Sequence, residues 1–133
     1  MKKLCFVILF IFVSCKYNGN FENLITDDNK RWVFYYKHPD SLNKEDKSTY
    51  FFNTFLKNST IKTYVFINGK ENMTYNFESQ NSKMDKWKYN ESDSTLSMFG
   101  NNYKVLRYDS DTIIVKKIKS NTNQFLINRN PSK

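Results

Sequence analysis

Alanine is absent from this chain of 133 residues, and glycine (three), proline (two), cysteine (two) and histidine (one) are scarce. Each shortage excludes something. Without alanine, and with 12 Phe and 9 Tyr, the composition favours strands over helices, because bulky and β-branched side chains fit a pleated surface better than a helix. Gly19, Gly69 and Gly100 stand too far apart to form a phosphate-cradling loop. A single histidine excludes a zinc site with paired His ligands. That residue, His38, is followed by Pro39, Asp40 and Ser41. Neighbours along a turn do not form a Ser-His-Asp relay, so His38 reads as a solvated turn residue. Asp109 and Asp111 also fall in a turn, where Asp is favoured for backbone reasons, and the loop is short of oxygen ligands for calcium. No catalytic set, metal or cofactor is expected.

The length allows one domain. The formal net charge of +8 fits nucleic acid, an anionic membrane surface or a solvated exterior. In residues 86–90 (KWKYN), Lys86 and Lys88 alternate with Trp87 and Tyr89, so the two kinds of side chain point to opposite faces of a strand. A single-strand nucleic-acid platform needs both on one face, and no nucleic-acid partner is expected.

Cys5 and Cys15 both lie near the N-terminus, so the rest of the chain holds no disulfide. Met1, Lys2 and Lys3 make a positively charged start, residues 4–13 are an unbroken run of ten apolar residues, and Ser14 is small. This is the layout of a secretory signal. Ten residues do not cross a bilayer, which takes about 20. No ordinary A-x-A cleavage site follows. Instead Phe12-Val13-Ser14-Cys15 resembles the lipobox of bacterial lipoproteins. The resemblance implies a signal peptide over residues 1–14, a cut before Cys15, and diacylglycerol on the Cys15 thiol. Two or more acyl chains anchor stably where one does not. It also implies the cell envelope. Lys16, rather than the Asp that retains some lipoproteins at the inner membrane, points to the outer membrane. Residues 15–29 read as the anchored tether, polar at first, with one turn of helix around Phe21 to Ile25.

Residues 30–133 read as one all-β domain. Strands are expected at 31–37 (RWVFYYK), 61–67, 72–78, 86–90, 95–99, 103–108, 112–118 and 124–129, separated by polar turns. Residues 48–57 fit a strand or a short amphipathic helix. Asn68-Gly69 is the strongest hairpin signal. Met73, Tyr75 and Phe77 alternate with polar neighbours, as on a half-buried strand. In residues 112–118 the inward face is open between Ile113 with Val115 and Ile114 with Ile118. Eight or nine antiparallel strands in a meander tend to curl and close. An antiparallel up-and-down barrel of about eight strands is expected, with a sandwich as the alternative.

Trp32, the Asn68-Gly69 hairpin, Trp87-Lys88-Tyr89 with Leu96-Ser97-Met98, and Tyr103-Lys104-Val105 with Asp111-Thr112-Ile113 resemble the lipocalin-like domain of small bacterial lipoproteins. The resemblance implies a barrel-closing contact of Arg129 over Trp32, a cation–π contact. An eight-stranded barrel is either filled or holds one small ligand. Trp32, Phe34, Tyr75, Phe77, Trp87 and Tyr89 are the candidate ligand liners. A non-catalytic lipoprotein follows as the expected function, either binding a small apolar ligand or docking an envelope partner with a packed barrel. Asp40-Ser41-Leu42, Asp93-Ser94-Thr95 and Asp111-Thr112-Ile113 also match an acceptor pattern for O-glycans, though turns favour Asp-Ser anyway.

Overall fold

The structure, a computed structural model, describes residues 19–36, 49–75 and 85–130. One short helix precedes nine strands: α1 (Phe21–Ile25), β1 (Trp32–Tyr35), β2 (Thr49–Phe55), β3 (Ile61–Ile67), β4 (Lys70–Tyr75), β5 (Trp87–Asn90), β6 (Thr95–Met98), β7 (Asn101–Tyr108), β8 (Thr112–Lys117) and β9 (Thr122–Asn128). The fold is all-β. A single antiparallel sheet runs in the order β4-β3-β2-β1-β9-β8-β7-β6-β5. Every pair of consecutive strands is hydrogen-bonded except β4 and β5, and the first strand pairs with the last.

Among the described residues the sheet is not closed: β4 and β5 are its edges and do not pair, so what the structure shows of the expected barrel is the all-β antiparallel sheet. The curl itself is present, as the twist of adjacent strands accumulates across the sheet. It brings the start of β3 against the start of β5 through one bridge, Thr60↔Lys86. There the Ile61 N–H donates to the Asp85 carbonyl (2.6 Å) and the Trp87 N–H to the Ser59 carbonyl (3.0 Å).

Local chemistry explains the hairpins. Asn68 and Gly69 both take positive φ (48° and 81°), the two-residue turn whose twist matches the flanking strands. Phe99 and Gly100 do the same (49° and 70°) between the paired Met98 and Asn101. The turn expected at 100–102 is therefore shifted, and Asn101 and Asn102 open β7. Residues 49–55 form a strand rather than a helix, paired with β3 from Thr49↔Ile67 to Phe55↔Ile61. Register decides the inward face of β8: Ile113 lies opposite the buried Leu126. Ile113 and Val115 are buried, while Ile118 is exposed.

The concave face of the sheet holds the core, including Trp32, Leu96, Met98, Ile113 and Leu126. Helix α1 packs into the same core through Phe21, Leu24 and Ile25, spaced i, i+3, i+4 on one face. Asn20 caps it by accepting the Glu22 N–H at 2.8 Å, which satisfies one of the orphan donors of the first turn. The Trp32 indole N–H donates to the Ile25 carbonyl at 3.2 Å. Asn53 is also buried, and its amide is satisfied: Nδ2 donates to the Trp32 carbonyl (3.3 Å) and Oδ1 accepts from the Thr63 hydroxyl (2.8 Å).

The segment entering β1 is tied down by Asp111. Its carboxylate accepts from Asn128 Nδ2 (2.9 Å) and from Lys30 Nζ (3.1 Å). The Asn128 bond first, then Lys30 and Ser110, hold the Asp111 carboxyl below its usual value despite partial desolvation. A depressed carboxyl adds stability that is present above its unfolded pKa, about 4, and is lost as pH falls through the folded value. Asp111→Asn is expected to lower Tm at neutral pH, with the Tm values of the two proteins converging as pH falls through the depressed carboxyl's range. A constant gap across that range would contradict the network.

Candidate functional site

Of the six expected ligand liners, Trp32, Phe34, Trp87 and Tyr89 lie among the described residues, in or against the core cluster. Trp32 is fully buried, with its N–H already bonded to α1. Trp87 is 7% exposed, its ring edge-on to Phe55 at 5.9 Å and its indole N–H bonded to the Leu56 carbonyl at 2.9 Å. Tyr89 is half-buried, 4.3 Å from the Phe21 ring. These three sit with α1 and fill the interior there. Phe34 packs against the same core and has a different set of ring neighbours. The Tyr75 side chain and the whole of Phe77 lie outside the described residues, as do Cys15 and His38.

Phe34 belongs to a second aromatic group, further along β1. Its ring makes contacts with Tyr36 (5.4 Å), Tyr103 (5.9 Å) and Phe99 (6.1 Å). At about 3.3 Å per residue, Tyr36 is roughly 13 Å along the strand from Trp32, whose indole meets α1. Tyr36 is 73% exposed, Phe34 and Phe99 are half-buried, and Tyr103 is buried. This end of the curled sheet is thus aromatic and partly open. Phe99 takes a backbone conformation that is an outlier for a bulky residue, and the turn delivers its ring into the group. Burial, and secondarily Tyr36, push the Tyr103 phenol above its usual value.

Gln124 adds an unpaired polar atom here. Extending the Tyr35↔Phe125 register by one pair sets Gln124 opposite Tyr36, on the same face as Phe34 and Leu126. The side chain is buried, and Oε1 has no hydrogen-bond partner among the described residues. An unsatisfied buried acceptor costs about 1–3 kcal/mol. The aromatic end therefore carries one acceptor that lacks a donor.

No protein-family model, curated protein or solved structure matches this chain. The site rests on its own geometry. Among the described residues no group of three or more His, Cys, Asp or Glu is placed to hold a metal ion. A shallow, open groove of about 430 Å³ lies beside α1, lined by Glu22, Asn23 and Thr26 from the helix side, Lys57 and Ser59 from the β2–β3 turn, and Trp87, Lys88 and Tyr89 from β5. Its walls are half polar, and Glu22 offsets one of its two lysines.

The expected closure of Arg129 over Trp32 does not occur. The Arg129 N–H bonds to the Arg31 carbonyl (2.7 Å), which sets its side chain on the convex face, opposite Trp32. Its guanidinium lies 6.0 Å from the Tyr35 ring centroid. Arg31 does the same over Phe52 at 5.5 Å and bridges to Glu71 at 3.0 Å. The two arginines cover convex-face aromatics instead of sealing the core, which strand alternation dictates once the register is known. Burial, with Glu71 adding, raises the Tyr50 phenol beside them. Sequence reasoning missed Tyr36, Phe99, Tyr103 and Gln124. The Phe99-Gly100 pair was the one local signal, as an X-Gly hairpin.

Proposed function

We propose that this chain is a lipid-anchored, non-catalytic envelope protein of lipocalin-like build that binds a small apolar ligand at the end of its curled sheet remote from α1. The unpaired Gln124 Oε1, on the same sheet face as the aromatic group of Phe34, Tyr36, Phe99 and Tyr103, carries this reading. Aromatic walls with few placed polar atoms are the usual makeup of a small-molecule site. A ligand bearing one O–H or N–H donor would satisfy the orphaned acceptor. The filled interior near α1 directs binding to this end and not to the centre of the sheet.

The test uses the unacylated domain and an apolar fluorophore displaced by phenolic and by donor-free competitors. Gln124→Leu is expected to raise stability by about 1 kcal/mol, since it removes an unpaired acceptor at similar volume. It should weaken phenolic competitors about tenfold and leave donor-free ones unchanged. Absence of displaceable uptake by the parent domain overturns the ligand reading. The packed core beside α1 favours the second reading in that case, a module that docks an envelope partner.

A further inference from the structure

Strands β5 to β9 contain no Asp or Glu. Their convex face is set by the buried inward residues Leu96, Met98, Tyr103, Val105, Ile113 and Val115. The alternate positions bear Lys88 on β5, Lys104 and Arg107 on β7, and Lys116 on β8. Lys104 and Lys116 are direct cross-strand partners. Like charges directly opposite one another destabilise a sheet, and no carboxylate on these strands relieves them. The carboxylates of the neighbouring turns are mostly engaged. Asp93 accepts the Thr95 N–H, Asp109 accepts the N–H groups of Asp111 and Thr112, and Asp111 holds Lys30 and Asn128. Among the described residues the Lys104 ammonium meets only the Asp93 main-chain carbonyl.

Two exposed aliphatic side chains flank this lysine pair. A bulge between Val105 and Arg107 leaves Leu106 unpaired and 48% exposed. Ile118, just past β8, is 55% exposed, and its N–H bonds to the Asn102 carbonyl at 3.1 Å. Cations without an ion pair among the described residues, beside protruding aliphatics, suit an interface that is anionic at its surface and apolar a few ångströms below it.

We propose that the convex face of β7 and β8 seats on an anionic lipid bilayer, with Lys104, Lys116, Arg107 and Lys88 on headgroup phosphates and Leu106 and Ile118 in the acyl boundary. A soluble acidic glycan would use the cations and leave the aliphatics without a role. The contact extends the lipid-anchored reading, and its test carries no acyl chain, so the two fail separately.

The chain from residue 15 onward keeps every residue of the described fold. With Cys15→Ser it is sedimented with vesicles of phosphatidylcholine alone or mixed in equal parts with phosphatidylglycerol. Binding is expected only to the mixed vesicles and to weaken with salt. K104Q/K116Q should lower partitioning roughly 10- to 30-fold, because each basic residue near an anionic surface contributes about fivefold. L106S/I118S should lower it with the salt dependence unchanged. Circular dichroism melts check that both pairs of substitutions stay folded. Equal binding to neutral vesicles, or parent-like binding by K104Q/K116Q, overturns the proposal. So does lysine-dependent binding to a soluble polyuronate with none to vesicles, which would make the partner a glycan.

Discussion

Trp32→Ala is expected to destabilise the fold by about 3–5 kcal/mol, the range for deleting a fully buried large aromatic side chain. Trp32 is fully buried, and its indole N–H holds the Ile25 carbonyl. Truncation opens a cavity and leaves that carbonyl unpaired where α1 meets the sheet. Against a total of about 5–15 kcal/mol for a typical domain, the loss threatens folding at physiological temperature. Trp32→Phe separates the two contributions, since it keeps most of the volume and loses only the donor, for about 1–3 kcal/mol. Arg129→Ala serves as the control. Its side chain lies on the convex face against Tyr35, and it should cost less than about 1 kcal/mol, near the low end for an exposed cation–π contact. Urea unfolding followed by circular dichroism measures all three. A parent-like midpoint for Trp32→Ala, or a larger loss for Arg129→Ala than for Trp32→Ala, would show that the core is assigned wrongly.

Cys15→Ser is expected to abolish fatty-acid incorporation altogether, because the thiol is the only acyl acceptor the lipobox resemblance implies. Each buried methylene of an acyl chain contributes about 0.8 kcal/mol to membrane binding, so losing two chains shifts the processed protein from the detergent phase to the aqueous phase. Cells labelled with a radioactive fatty acid and then phase-separated in detergent provide the measurement. Label that persists in Cys15→Ser would move the acceptor elsewhere, and an unlabelled parent chain would remove the anchor from the functional reading.

The candidate site was only partly legible. Alternation puts Trp87 and Tyr89 on one face, Phe34 is a candidate liner, and the described structure places all three on the concave side. What alternation lacks is any measure of how far apart they lie around the sheet. Trp87 and Tyr89 join Phe21 and Phe55 beside α1, whereas Phe34 joins Tyr36, Phe99 and Tyr103 at the other end. Gln124 was invisible for a related reason. A lone Gln in a short strand signals nothing until its neighbours are known to offer it no donor.

The sequence by itself determined the local elements. The shortage of alanine, the β-branched and aromatic runs, the Asn68-Gly69 turn and the period-2 alternation act over a few neighbouring residues, and they led to an all-β chain of eight or nine strands. Only the tertiary structure decided which distant strands meet. β1 pairs with β9, β4 and β5 are unpaired edges among the described residues, and Arg129 covers Tyr35 in place of Trp32. Those outcomes depend on twist summed over nine strands and on register between segments about 95 residues apart. No local propensity encodes that sum, because the curl that sets it belongs to the whole sheet.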